Sequence, residues 1–173
     1  MELSWGAITV EIRREQPDDI PVIHQITHDA FAPKAFSDGT EPAVIDALRE
    51  AGDLALSLVA VKDDIPVGHV AFSPVEAGNV STGWFGLGPV AVLPDLQRTG
   101  IGSALIKKGL NILRETDARG CALIGDPGYY CRFGFTSDGC LHYEGVPDKN
   151  VMWLSFDKCK PTGQLIFKPA FRS

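Results

Sequence analysis

Apolar and polar positions alternate from Ile8 to Arg13, the signature of a first strand. Asp18-Asp19 followed by Ile20-Pro21 gives a helix N-cap signal with proline in the first turn. Ile23, Ile26 and Ala30 then recur at helical spacing. A break over Ser37 to Thr40 separates this helix from a second, with Ala43, Val44, Ala47, Leu48 and Ala51 inward and Gly52 as the stop. The period then shortens to two. Leu54 to Val61 and Ile65 to Phe72 read as the arms of a β-hairpin turned at Asp63-Asp64. Another strand covers Trp84 to Val92. Pro89 within it cannot donate to a ladder, which predicts a bulge or a point where pairing opens.

After a glycine-rich turn, helical periodicity returns from Gly100 to about Ala118. Lys107, Lys108, Asn111, Arg114 and Glu115 fall on one face of this helix and Leu105, Gly109, Ile112 and Leu113 on the other. Gly120 is its expected stop, Cys121 to Ile124 a short buried strand, and Tyr129 to Arg132 a single helical turn after the loop Gly125 to Gly128. Val151 to Phe156 and Leu165 to Phe167 complete the strands. The order of elements predicts a mixed α/β domain around one sheet, with residues 1–173 forming a single domain.

Composition narrows the function classes. The 173 residues are 45% apolar and 22% charged, ordinary values for a folded domain with a real core. No apolar run approaches the roughly 18 residues of a membrane span, and Met1 to Val10 lacks the basic-then-apolar pattern of an export signal. A cytoplasmic protein with no membrane partner is expected. The net charge of −6 argues against generic nucleic-acid binding, which needs clustered Lys and Arg. Cys121, Cys131, Cys140 and Cys159 are ten, nine and nineteen residues apart with no Cys-x-x-Cys pair, so no metal site is expected and free thiols are.

The densest chemical signal is Val90-Ala91-Val92-Leu93-Pro94-Asp95-Leu96-Gln97-Arg98-Thr99-Gly100-Ile101-Gly102-Ser103. A strand, a turn and two glycines at a helix start are the local design of an anion site. Unpaired N–H groups converge there, the helix dipole is positive, and missing side chains let phosphate approach. The dipole supplies only ~0.3–1 kcal/mol per charge, so hydrogen bonds from several N–H groups must carry the affinity. Arg98 adds a permanent cation. Leu105 stands where a dinucleotide-binding fingerprint needs its third glycine, and the Gly-Lys-Ser/Thr of a Walker loop is absent. Close helix–sheet packing would equally explain a bare Gly-x-Gly.

The fuller pattern Val-x-Pro-x-x-Gln-x-x-Gly-x-Gly resembles the acetyl-CoA signature of the GCN5-related N-acetyltransferases (GNAT). Asp126-Pro127 and Tyr129-Tyr130-Cys131-Arg132-Phe133-Gly134-Phe135 resemble the family's later motif, and Gly163 to Phe171 resembles its bacterial YhbS-type branch. The resemblance implies the GNAT acyl-CoA N-acyltransferase fold, with an acetyl-CoA-binding core over about residues 84–135. It implies direct transfer of acetyl from acetyl-CoA to a primary amine in a ternary complex. On this resemblance the strands 84–92 and 121–124 splay apart. The backbone of Val90, Ala91 and Val92 binds the pantetheine arm, and Gln97, Arg98, Thr99, Gly100, Ile101, Gly102 and Ser103 cradle the pyrophosphate. Tyr130 protonates the departing thiolate, with Tyr129 as the fallback. Cys131 adjoins both, but direct transfer needs no acetyl-cysteine.

A phenol near pKa ~10 donating to a thiol near ~8.5 is uphill by roughly 2 kcal/mol, which a positioned hydrogen bond can offset. The base is less evident, because Trp84 to Val92 contains no carboxylate. A lysine-like amine of pKa ~10.4 is neutral in only about one molecule in 2,500 at pH 7. Glu76, Asp126, His69 and His28 are candidates, and a water chain or a substrate α-amine of pKa ~8 would remove the need. The polar segment Thr136 to Asn150 offers Asp138, His142, Tyr143, Glu144 and Asp148 as acceptor contacts, and the acidic chain favours a cationic amine. Lys107 and Lys108 are expected in solvent, with the nucleotide end of CoA as the other reading. A homodimer is the expected assembly. The rival function is a non-catalytic acyl-CoA-binding or protein-interaction module on the same fold.

Overall fold

The computed structural model describes residues 3–5 and 8–172; parts of the Met1 to Val10 segment and Ser173 lie outside it. One sheet organises the chain. Strands β1 (Leu3–Trp5), β2 (Ile8–Arg14), β3 (Leu56–Lys62), β4 (Ile65–Ala77), β5 (Val80–Val92), β6 (Gly120–Ile124) and β8 (Val151–Ser155) lie side by side in that order. Every pairing in this row is antiparallel except β5 with β6. Two further strands, β7 (Leu141–His142) and β9 (Gly163–Ile166), pair with each other, and β9 also pairs with the far end of β4.

Burial explains the layering. Helix α3 (Ile101–Arg114) lays Leu105, Ile106, Leu110 and Leu113 on one sheet face, against Leu58, Val70 and Phe72. Helices α1 (Ile20–Phe31) and α2 (Glu41–Ala51) cover the other face, with Ile23 and Ile45 packed on Val59 and Val61. β3 is therefore buried on both faces and reads as a continuous apolar run. The exposed face of α3 holds Lys107, Asn111 and Arg114, as the periodicity predicts.

Several boundaries differ from expectation. Asp19 occupies the α1 N-cap, but its carboxylate accepts from Arg13 (2.6 Å) and from the Gln16 N–H (2.7 Å) instead of capping the helix. The buried face of α2 is Pro42, Val44, Ile45 and Leu48; Ala43 and Ala51 are exposed, because the stripe is centred one position off the alanines. Gly52 does end α2, at φ 76°. Helix α3 stops at Arg114, and Gly120 belongs to β6, where an added Cβ would lie 2.5 Å from Trp84. The hairpin of β4 and β5 runs on to a turn at Gly78-Asn79, well past Phe72.

Pro89 marks the break it predicts. Phe72 pairs with Leu87 and Val70 with Val90, so Gly88 and Pro89 together oppose Ala71 in a bulge. On its other side β5 pairs with β6 only from Trp84 to Gly86. Beyond Gly86 the two strands part, and β6 continues to Ile124 against β8 alone.

Candidate active site

The parted strands open a cleft of about 1130 Å³ between β5, β6, the α3 N-terminus and α4 (Pro127–Tyr130). On the β5 wall, the Leu93 N–H donates to Val67 O (3.0 Å) on β4. Alternation then turns the polar groups of Ala91 toward β4 and those of Val90 and Val92 toward the cleft. Val92 O accepts from Gln97 Nε2 (3.0 Å), which ties the following turn to the strand end. Ala91 is off the wall altogether, its side chain buried against Ile26 and Ala30 of α1.

The turn itself is a cradle of donors. Arg98 and Gly100 adopt φ 64° and φ 92°, which swing the chain into α3 with its amides outward. The first helical bond is from Ala104 to Gly100 O (3.0 Å). Every N–H from Arg98 to Ser103 lacks an acceptor among the described residues. Gln97, Arg98, Gly100, Gly102 and Ser103 line the cleft, whereas the Thr99 hydroxyl turns back to Leu96 O and the Ile101 side chain is buried in the core.

Packing does not account for these two glycines. A Cβ at Gly100 would meet nothing within 4 Å, and one at Gly102 only Tyr129 Oη at 3.5 Å and Val92 at 3.8 Å. The glycine that lets α3 approach the sheet is Gly109, where a Cβ would lie 2.3 Å from the Phe72 ring. Gly100 is required by its backbone conformation, and Gly102 keeps clear the space in front of the amides.

Asp126 caps α4 by accepting from the Gly128 N–H (3.0 Å), which starts the turn carrying the two tyrosines. They point to different ends of the cleft. The Tyr129 hydroxyl lies 3.4 Å from Ser103 Oγ, beside the α3 N-terminus. The Tyr130 ring packs edge-on to Tyr129 (4.9 Å) and Phe135 (6.2 Å) and sits over Gly125, where a Cβ would be 2.4 Å away. Its hydroxyl makes no hydrogen bond among the described residues and is not sealed off from the cleft. Burial, with Tyr129 beside it, pushes the Tyr130 phenol up to about 12, above the ordinary value assumed from sequence. The group is therefore protonated at any working pH.

Of the four base candidates, Asp126 alone lines the cleft. Glu76 is exposed on β4 opposite Ile166, and His28 is exposed beside Asp29. His69 is fully buried. Ser57 gives its one proton to Glu15 (2.7 Å) and so accepts from His69 Nε2–H (2.7 Å), which leaves Nδ1 unprotonated and without a partner among the described residues. Burial lowers the His69 pKa to about 4, and the ring is neutral.

The acceptor side differs from the sequence reading. His142 pairs with Asp148 (2.8 Å), Asp138 accepts from the Cys140 N–H (3.1 Å) and Tyr143 packs on Phe167 (5.6 Å). None of the five named residues of that segment lines the cleft; Val146, Pro147 and Asn150 do, with Phe31, Lys34 and Phe36 from the end of α1 and beyond. Asn150 and Gly125 exchange hydrogen bonds (2.9 and 3.0 Å) that dock this segment on the end of β6. Those contacts join distant parts of the chain and carry no local motif.

The same architecture occurs in known proteins. The model of the acetyltransferase (GNAT) family matches residues 20–135. An uncharacterized N-acetyltransferase, YhbS, of Escherichia coli K12 is 38% identical over 125 residues, 72% of each chain. A GNAT family acetyltransferase from Brucella melitensis, solved in complex with acetyl-CoA, superposes with a TM-score of 0.84 at 46% identity, covering 94% of this chain and 97% of its own. Escherichia coli YhbS in complex with CoA superposes with a TM-score of 0.82 at 29% identity, over 99% and 96%.

Proposed function

The chain belongs to the acetyltransferase (GNAT) family, and on that premise we propose that it moves the acetyl group of acetyl-CoA directly to a primary amine of a small molecule or peptide. The observation that carries the reading is the run of acceptorless amides from Arg98 to Ser103 opening onto the gap between β5 and β6. A pyrophosphate satisfies those donors, and the backbone groups of Val90 with the Val92 N–H take the pantetheine amides as an added strand would. The thioester then lies toward Tyr130, within the core 84–135.

In the transfer the neutral amine nitrogen attacks the thioester carbonyl carbon, the C–S bond breaks, and the nitrogen's proton passes to water in the open cleft, from which Tyr130 regains the proton it gives to sulfur. Tyr130 faces the departing sulfur. With its phenol at about 12 and a thiol at about 8.5, complete proton transfer is uphill by roughly 5 kcal/mol. Tyr130 therefore acts first as a hydrogen-bond donor to charge developing on sulfur, the proton following as the thiolate leaves. Asp126, already bonded to Gly128, is the carboxylate in reach of the cleft. A cleft without a dedicated base suits an α-amine of pKa ~8, neutral in about one molecule in ten at pH 7.

The test is thiol release from acetyl-CoA across a panel of α-amines and ε-amines. Turnover with at least one amine, rising with pH as the amine deprotonates, is expected. Binding of acetyl-CoA with no release for any amine would replace this reading with the non-catalytic acyl-CoA-binding module.

A further inference from the structure

The cysteine spacing that argues against a metal site leaves the histidines aside. His24 and His28 stand four residues apart on α1, in the run His24-Gln25-Ile26-Thr27-His28. Ile23, Ile26, Thr27 and Ala30 form the buried face of this helix. Both imidazoles are therefore on its solvent face, and neither lines the cleft. Four residues are just over one turn, which places the two side chains next to each other with Cβ atoms about 5–6 Å apart. Histidine pairs at the same spacing hold zinc in helical His-Glu-x-x-His sites.

Each ring is also oriented. His24 Nδ1 lies 2.8 Å from Asp46 Oδ2 on α2, and His28 Nδ1 lies 3.3 Å from Asp29 Oδ1. An ionised carboxylate only accepts, so Nδ1 is the protonated nitrogen in both rings. The lone pair of each neutral imidazole is then on Nε2, and neither Nε2 has a partner among the described residues. The two carboxylates are anchored in turn, Asp46 by Arg49 Nη1 (2.9 Å) and Asp29 by Gln25 Nε2 (2.8 Å). Exposed pairs of this kind add little stability, so their main physical effect is the orientation they impose. A held carboxylate on the far nitrogen is the arrangement behind metal-ligating histidines, where it fixes the tautomer and makes the ligating nitrogen more basic.

We propose that His24 and His28 bind one divalent transition-metal ion of the zinc type through Nε2, with water completing the coordination shell and Asp46 and Asp29 positioning the rings. Imidazole nitrogen selects Zn²⁺, Ni²⁺ or Cu²⁺ over Mg²⁺ and Ca²⁺, which take oxygen ligands. No group of three or more histidine, cysteine or carboxylate side chains gathers around an ion position among the described residues. Two protein ligands make an exchangeable site, unlike a closed four-ligand structural centre. Gln25 stands where the zinc-hydrolase motif has its glutamate base, and it is spent on Asp29, so the ion is not set up for hydrolysis. Through Asp46 the site joins α1 to α2.

The experiment titrates the reduced protein with Zn²⁺ by calorimetry, beside His24→Gln, His28→Gln, Asp46→Ala and His142→Gln. Wild type should bind one Zn²⁺ at this site, and each α1 histidine variant should bind it about tenfold more weakly or worse. Asp46→Ala keeps both ligands but should lose about 10–100-fold in affinity. His142→Gln removes a histidine paired with Asp148 elsewhere on the surface and should bind as wild type does. Saturating Zn²⁺ should raise the Tm of wild type and leave that of His24→Gln in place. Absence of Zn²⁺ binding to wild type overturns the proposal. So does binding that survives both α1 histidine substitutions, the result expected of the exposed thiols of Cys131, Cys140 and Cys159. Equal binding of Mg²⁺ would assign the ion to carboxylates and overturn it as well.

Discussion

At the scale of residues, the proposed transfer turns on one side chain and one missing side chain. The Tyr130 hydroxyl makes no hydrogen bond among the described residues, so Tyr130→Phe preserves its packing against Tyr129 and Phe135. Turnover should fall about 10²-fold or more while acetyl-CoA affinity holds, as read by steady-state kinetics beside a binding titration. Equal turnover would remove the hydroxyl from the chemistry. Gly102→Val adds atoms where the protein offers only ordinary contacts, so the fold should persist. The branched side chain stands in front of the amides, and acetyl-CoA should bind about tenfold more weakly or worse. The motif from Val90 to Ser103 was legible in sequence because its elements are contiguous. Of what sequence left open at the glycines, close packing is excluded by where a Cβ would land. The rise of Tyr130 to about 12 was not legible, since it depends on Gly125 and Phe135 closing around the ring.

At the scale of elements, α3 is held to the sheet by the absence of a side chain at Gly109. Alanine there improves helix propensity by about 1 kcal/mol, but its Cβ overlaps the Phe72 ring. Gly109→Ala should therefore destabilise the protein by about 1–3 kcal/mol in urea unfolding. Beneath α1, buried His69 on β4 joins Ser57 on β3, Glu15 and Arg49 of α2 in a partly buried chain. The folded pKa of His69, about 4, lies below the unfolded value near 6.5. Its contribution is fully present above pH ~6.5 and is lost as pH falls through 4, because an added proton on Nδ1 finds no acceptor. The loss amounts to about 3 kcal/mol, and His69→Gln should flatten the stability profile across that window. None of this chain is visible in sequence, where its members are scattered from Glu15 to His69. The long hairpin of β4 and β5 goes beyond the sequence reading, which ends the first arm at Phe72, short of the turn at Gly78-Asn79. Ser73-Pro74 and Glu76 interrupt the alternation and hide it.

At the scale of the whole molecule, the fold sets the candidate site where β5 and β6 stop pairing. The bulge at Gly88 and Pro89 and the end of pairing at Gly86 let β5 part from β6. The same parting faces the α3 amides and the tyrosines of α4 toward a common space. Element order followed from local pattern and the parted strands from the family resemblance, whereas the wall supplied by Phe31, Phe36, Val146 and Pro147 follows only from tertiary docking. The most direct test is a calorimetric titration of the protein with acetyl-CoA, with adenosine as the control ligand. One acetyl-CoA bound per chain, with no binding of adenosine, is the predicted result. No binding of acetyl-CoA, or equal binding of adenosine, would contradict the assignment of the α3 amides to the pyrophosphate and with it the proposed transfer.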